Sequence, residues 1–211
     1  MHRIDLEALD LAADIMHDAT NLAMAARRAL PPEAIVRKHD GSIVTAVDVA
    51  LQVFILDALE REFGVRPVIA EEDNESLGGK LAAEAHCRAL LHEWGFDGDE
   101  SDIHRLLCVG SFDRPTRDVD DAWVLDPIDG TQGFVDGHHW CPCLALLRNG
   151  EPVFASNGYP TLRGGVLLSA VRGAGTWSYP LDAGDEGEPT RLRASLELPA
   201  RGAAVRVVAP I

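Results

Sequence analysis

The stretch Trp123-Val124-Leu125-Asp126-Pro127-Ile128-Asp129-Gly130-Thr131 constrains the fold more than any other part of the chain. Its apolar opening, Ala122 to Leu125, reads as a buried strand. Pro127 restricts Asp126 to an extended conformation and so holds the strand to its end, while Gly130 lets the backbone turn sharply with two carboxylates just exposed. A short helix opening at about Gly130 would point the N–H groups of Gly130 and Thr131 outward as an anion site beside those acids. Pro67-Val68-Ile69-Ala70 repeats the theme, a short apolar strand delivering Glu71 and Glu72. Two strands thus present acids at the same kind of place.

The other segments supply a frame for them. From Asp5 to Leu30, Leu6, Leu9, Ala13, Met16, Ala19, Leu22, Ala23 and Ala26 recur at helical spacing, and Pro31-Pro32 ends the run. A second helix is predicted from about Asp48 to Phe63, with Leu51, Phe54, Ile55, Leu59 and Phe63 on one face and Gly64 as its stop. The connection Lys38-His39-Asp40-Gly41-Ser42 reads as a loop or short hairpin. Residues 73 to 121 are the least regular, with a helix near Leu81 to Glu93 and a solvated loop from Asp97 to Asp102. Beyond Asp126 the pattern is mostly β: Leu144 to Arg148 and Pro152 to Ser156 flank the hairpin signal Asn149-Gly150. Val166 to Val171 and Thr176 to Tyr179 flank a second turn. After a loop from Leu181 to Thr190 come strand candidates at Arg191 to Leu196 and Ala204 to Val208. The last begins close to Ile211, which reads as the start of an unfinished second unit.

Composition narrows the function. Thirty-four acidic residues against nineteen basic ones give a net charge of −15, which repels nucleic-acid backbones and anionic membranes. A phosphate ester bound by such a chain needs cations to bridge it to the carboxylates. No apolar run approaches a membrane span, and the segment Met1 to Leu9 lacks signal or transit character; a cytoplasmic location is the expectation. Cys141-Pro142-Cys143 reads as structural, because no second pair stands at zinc-ligand spacing despite His138 and His139 nearby. Other phosphatase chemistries fail on spacing. Cys143 and Arg148 are one residue too close for a cysteine phosphatase, and Asp126-x-x-Asp129 is not the Asp-x-Asp of an aspartyl-phosphate enzyme.

Magnesium favours oxygen donors in octahedral geometry and usually keeps some waters, which suits carboxylates and a main-chain carbonyl better than the cysteines or histidines. Glu71, Asp126, the Ile128 carbonyl and Asp129 are the expected ligands of two or more Mg2+ ions, with Asp126 as the bridge. Asp48, through the Thr131 hydroxyl, is the expected acceptor of a proton from the attacking water. Lys38, Gly130 and Thr131 are the candidates for holding substrate phosphate, Lys38 from a mobile flap. Singly, each residue has an ordinary explanation: Asp-Pro and Asp-Gly form turns, Glu-Glu opens helices and Asp48 caps one.

Three segments in order, Lys38-x-Asp40-x-Ser42-x-Val44-Thr45-x-x-Asp48, Ala70-Glu71-Glu72 and Trp123-Val-Leu-Asp-Pro-Ile-Asp-Gly-Thr-Gln-Gly-Phe134, resemble the signatures of the lithium-sensitive, magnesium-dependent phosphatases of the inositol monophosphatase superfamily. The resemblance covers roughly residues 5 to 180. It implies an α+β fold of the sugar-phosphatase kind, paired helices on a mainly antiparallel sheet, joined to a smaller α/β domain that is largely absent here. It assigns Glu71, Asp126, Ile128 and Asp129 to metal and Asp48 with Thr131 to water activation. On this reading residues 1–195 form an amino-terminal metal-binding domain and residues 196–211 begin a truncated second one.

Gly130-Thr131-Gln132-Gly133-Phe134 and the fifty-four residues between Glu71 and Asp126 look more like the 3'(2'),5'-bisphosphate nucleotidase branch than the inositol branch. The resemblance then implies removal of the 3'-phosphate from 3'-phosphoadenosine 5'-phosphate, a by-product of sulfur assimilation, with a small phosphorylated metabolite as the partner. Oligomeric state is not legible. Gln132 and Asp136 stand where that branch usually has basic residues, and His138-His139-Trp140-Cys141 is not a familiar part of its pattern. The family also takes a further metal-binding aspartate from a Trp-Asp context, whereas here Trp177 precedes Ser178. An inositol monophosphatase-type hydrolase and a non-catalytic binding or regulatory domain are therefore the alternatives.

Overall fold

The computed structural model describes residues 4–5, 8–38, 40–109, 120–162, 164–181 and 189–193. The strand candidate at Ala204 to Val208 and the proposed second unit at 196–211 lie outside them, as does most of the loop from Leu181 to Thr190.

A helical layer covers one face of a seven-stranded sheet. Helix α1 (Leu9–Arg28) buries Leu9, Ala12, Ala13, Met16, Ala19, Thr20, Ala23 and Ala26. Small side chains on that stripe let its backbone come close to its neighbours. Gly158 of the sheet lies so near Thr20 that an added Cβ would sit 2.1 Å from the threonine hydroxyl. A hairpin of β1 (Ile35–Arg37) and β2 (Ile43–Thr45) follows, paired antiparallel with Val36 opposite Val44. Asp40 closes its turn by accepting from both the N–H and the hydroxyl of Ser42, at 3.0 and 2.7 Å.

Helix α2 (Ala46–Phe63) begins two residues before the predicted Asp48, because Thr45 caps it. It also differs from the single apolar face expected. Val47, Val49, Ala50, Gln52, Val53 and Leu56 are buried along with Leu51, Ile55 and Leu59, so its first three turns are enclosed on nearly every side. Helix α3 (Leu81–Glu93) stands where it was predicted. The solvated loop expected at Asp97 to Asp102 is instead the start of a further helix, α4 (Glu100–Val109). Asp99 accepts from the N–H groups of Ser101 and Asp102 at 2.8 and 3.2 Å, and Asp102 accepts from the N–H of Asp99 at 3.1 Å. Those acids are a reciprocal helix cap.

The sheet runs β3 (Val68–Ala70), β4 (Asp121–Asp129), β5 (Cys141–Arg148), β6 (Glu151–Tyr159), β7 (Val166–Val171), β8 (Gly175–Pro180) and β9 (Thr190–Leu192), in that spatial order. Only the β3–β4 pair is parallel, with Ala70 beside Leu125. The architecture is the α+β arrangement of helices on a mainly antiparallel sheet that the sequence implied. A six-residue helix, α5 (Thr131–Asp136), follows β4. The core between the layers is built from α1, α2, the inner face of β4 to β7 and Phe134 of α5, and Trp123, Phe134, Leu144 and Leu146 are fully buried in it. No helix among the described residues is long and apolar enough to cross a membrane.

Candidate active site

The site forms where the pairing of β3 with β4 ends. Their parallel register sets Glu71, one residue past Ala70, beside Asp126, one residue past Leu125. Asp126 and Asp129 are three residues apart, which in a regular strand would send them to opposite faces. A bulge prevents this. Asp126 pairs with Cys143 and Asp129 with Cys141, so β4 uses three steps where β5 uses two. Side chains directly opposite across an antiparallel pair share a face, and both carboxylates therefore emerge on the same side.

No lysine or arginine forms an ion pair with Glu71, Asp126 or Asp129 among the described residues. Partial burial, a shared hydrogen bond with Glu71 and the charges of Glu71 and Asp129 push the Asp126 carboxyl up to about 8. A proton on Asp126 is what keeps the three acids compatible without a cation. Asp126 also accepts from the Ile128 N–H at 3.1 Å, and this fixes the turn that presents the Ile128 carbonyl.

Asp48 is fully buried and holds two roles at once. It completes the α2 capping box, accepting from the Thr45 N–H at 2.9 Å and from the Thr45 hydroxyl at 2.5 Å through one oxygen. Its other oxygen accepts from the Thr131 hydroxyl at 3.0 Å, across from β4. Burial raises the Asp48 carboxyl to about 7, offset in part by the Thr45 hydrogen bonds. Thr131 also lies 3.2 Å from the Ile128 carbonyl oxygen, so the hydroxyl sits between the buried acid and the acidic cluster.

Lys38, expected to screen phosphate, reaches Glu72 instead: its ammonium donates to both carboxylate oxygens, at 2.9 and 3.2 Å. Although burial pulls the ammonium down, the bond to Glu72 and its charge outweigh that and raise it. Glu72 is itself only 2% exposed, so the pair is partly structural. Sequence reasoning missed Glu72 and also Gln52. The buried Gln52 amide donates to the Glu72 carbonyl at 2.6 Å and accepts from the Glu72 N–H at 3.0 Å, tying the exit of β3 to α2. A glutamine inside an otherwise apolar helix interior was its only signal.

His138-His139-Trp140-Cys141 gains a physical account. Trp140 packs edge-on against Phe134 of α5 at 4.8 Å, and His139 hydrogen-bonds Thr161 at 2.6 Å. The His139 carbonyl passes so close to α5 that a Cβ on Gly133 would lie 2.1 Å from it. Gly133 is needed for that crossing, and the crossing returns the chain to β5 at Cys141. On the outer side of Glu71, an open cleft of about 750 Å3 is lined by Lys38, Glu71, Asp73, Ser76 and Lys80.

The donor types suit hard divalent cations: three carboxylates from the ends of two strands, one of them raised by burial and by its acidic neighbours, plus a main-chain carbonyl. The structure sets Asp126 in hydrogen-bond contact with Glu71 and within the field of Asp129, and joins Thr131 to Asp48, while Lys38 is engaged by Glu72.

Comparison with known proteins agrees. The sequence profile of the inositol monophosphatase family matches residues 6–200. A 3'(2'),5'-bisphosphate nucleotidase of Emericella nidulans is 31% identical over 183 residues, 72% of this chain and 52% of that protein. One of Schizosaccharomyces pombe is 30% identical over 164 residues, 68% of this chain and 46% of its own length. The chain thus spans about half the length of the curated relatives it matches. Among solved structures, an IMPase from Thermotoga maritima superposes with a TM-score of 0.57 at 22% identity, covering 90% of this chain and 54% of that one. The extragenic suppressor protein suhB from Bartonella henselae gives 0.56 at 17% identity, covering 90% and 55%. With the profile spanning nearly every residue and curated relatives at this level of identity, the chain belongs to the inositol monophosphatase family, and its sequence sides with the 3'(2'),5'-bisphosphate nucleotidase branch.

Proposed function

We propose that this chain carries the metal-binding and water-activating part of a magnesium-dependent phosphomonoesterase that removes the 3'-phosphate of 3'-phosphoadenosine 5'-phosphate. One observation carries the reading: Asp126 shares a hydrogen bond with Glu71 and feels the charge of Asp129, with no ion pair from lysine or arginine to any of the three among the described residues, beside a threonine backed by a buried aspartate. Glu71, Asp126, Asp129 and the Ile128 carbonyl would hold two or more Mg2+ ions. When bound, these supply a water of lowered pKa and neutralise charge on the leaving oxygen. Thr131 donates its own proton to Asp48, so its oxygen is free to accept one from the attacking water and pass the chain of bonds on to Asp48. An acid whose pKa lies near 7 suits that task at neutral pH. Gly130 and Thr131 line the phosphate side, and Lys38 keeps a third N–H beyond the two given to Glu72. The names of the curated relatives support the nucleotide substrate, and a net charge of −15 is in keeping with a small phosphorylated metabolite over a nucleic acid as the partner.

The test is phosphate release from 3'-phosphoadenosine 5'-phosphate and, in parallel, from inositol monophosphate, with magnesium, with chelator, and with Asp126→Asn. Magnesium-dependent release from the nucleotide that the variant loses is the expected result. Release from inositol monophosphate alone would transfer the substrate to the other branch. Release from neither, with Mg2+ still bound in calorimetry, would make the chain a binding domain, the reading favoured by Ser178 standing after Trp177 in β8.

A further inference from the structure

Cys141 and Cys143, read from sequence as structural for want of a partner, acquire one in the fold. They lie two residues apart on β5 and so share a face, with their sulfurs 3.4 Å apart. The β4 bulge sets Asp129 directly opposite Cys141, and its Oδ2 is 3.9 Å from the Cys141 sulfur. All three donor atoms lie within 4.8 Å of one another. Metal–sulfur bonds of about 2.3 Å and a metal–oxygen bond of about 2.0 Å around a tetrahedral zinc put donor atoms roughly 3.5–3.8 Å apart. The observed spacings therefore need only small side-chain adjustments. Cys141 is nearly buried while Asp129 is exposed, so an ion has a path in from the carboxylate side.

We propose that Cys141, Cys143 and Asp129 form a binding site for a thiophilic d10 cation of the zinc and cadmium class. Thiolates prefer such ions to magnesium, and two sulfurs with one carboxylate leave a fourth position for water. Binding replaces two S–H bonds with two metal–sulfur bonds and releases both protons to solvent. His138 and His139 are not part of the donor set; His139 is held by Thr161. Because Asp129 is also a ligand in the magnesium reading above, occupancy withdraws it from the hard-cation cluster. This consequence rests on that reading, while the site itself does not. Zinc-class ions would then inhibit by taking a ligand, with no need to occupy the magnesium positions.

The experiment titrates the reduced, full-length chain with Cd2+ and follows the ultraviolet thiolate-to-cadmium charge-transfer absorption. One equivalent should produce the band, Cys141→Ser with Cys143→Ser should abolish it, and Asp129→Asn should weaken binding roughly tenfold. A band that survives in the double cysteine variant, or an affinity unmoved by Asp129→Asn, overturns the site. Should the double variant fail to fold, alkylation of the unaltered chain decides. Protection by Cd2+ confined to Cys141 and Cys143, with the exposed Cys108 still reacting, supports the site, and unprotected Cys141 and Cys143 overturn it. Magnesium binding by the folded double variant, read by calorimetry, tests the hard-cation reading separately.

Discussion

The two ends of β4 treat a carboxylate in opposite ways. At its start, Asp121 is buried and receives two N–H groups of Arg148, at 2.7 and 3.2 Å, and the Ile4 N–H at 2.7 Å. Burial alone would raise that carboxyl, but the Arg148 hydrogen bond and charge prevail and hold it below the usual range. Five residues on, Asp126 has acidic neighbours in place of an arginine, and its carboxyl rises to about 8. Glu71 and Glu72 repeat the contrast one strand away: among the described residues Glu72 is ion-paired, to Lys38, and Glu71 is not. Where an acid only holds the fold together, the chain supplies the cation. Where it does not, an external cation belongs.

Substitution at each end should therefore fail differently. Asp126→Asn should weaken magnesium binding, and phosphate release with it, by roughly 100-fold or more, since it removes a ligand outright. Without magnesium the same change should leave the fold as stable or more so, because the amide stands in for the protonated carboxyl and cannot ionise as pH rises. Arg148→Ala should cost about 3 kcal/mol in denaturant unfolding by stranding a buried carboxylate, without a matching loss of metal affinity in the folded fraction. Calorimetry and urea unfolding on both variants check the pair. A stability loss in Asp126→Asn comparable to that of Arg148→Ala would erase the distinction.

Acidity sharpens it further. Asp48 and Asp126 have folded pKa values of about 7 and about 8, above the ordinary carboxylate value of 3.8. From about pH 4 to those values the folded chain binds more protons than the unfolded chain, so without metal its stability should fall across that window and level off once pH has passed about 7 and 8. Asp121 has the opposite sign: its contribution is present above the ordinary carboxylate range and is lost only as pH drops through its lowered value. Magnesium should cancel the Asp126 share of that loss by taking the proton's place, and its binding should tighten with pH and release protons. Melting temperatures across pH, with magnesium and with chelator, provide the check. Identical curves under both conditions would break the link between the shifted acid and the metal.

How much of this was legible beforehand depends on whether a feature is local. The helices at 9–28 and 81–93, the Asn149-Gly150 hairpin and the two acid-tipped strands follow from periodicity and turn chemistry, and the structure has them. The sequence placed acids on Asp126 and Asp129 but could not show that they share a face, because the bulge is set by pairing with Cys141 and Cys143. Asp48 and Asp102 occupy the same position in two helix caps. What separates them is a third bond, from Thr131, eighty-three residues away in sequence. The α4 helix was missed because its two capping acids resemble a solvated loop until a helix is seen behind them.

Gln52 offers the finest test, since it touches none of the cluster. Its amide makes two hydrogen bonds to the Glu72 backbone, which leaves the residue after β3 anchored to the buried side of α2. Glu71 lies immediately before that anchor, so the direction of its side chain depends on a clamp one residue away. Gln52→Leu keeps the volume but strands a buried N–H and C=O, at a cost of about 1–3 kcal/mol. A purely structural residue would show only that loss. If Gln52 positions Glu71, the folded variant should also bind magnesium up to roughly tenfold more weakly, an effect of the size seen when groups that orient metal ligands are removed. Gln52→Glu, which keeps an acceptor for the Glu72 N–H but loses the donor to its carbonyl, should fall between. Magnesium affinity unchanged in folded Gln52→Leu would confine the residue to packing and leave Glu71 oriented by the β3–β4 register alone.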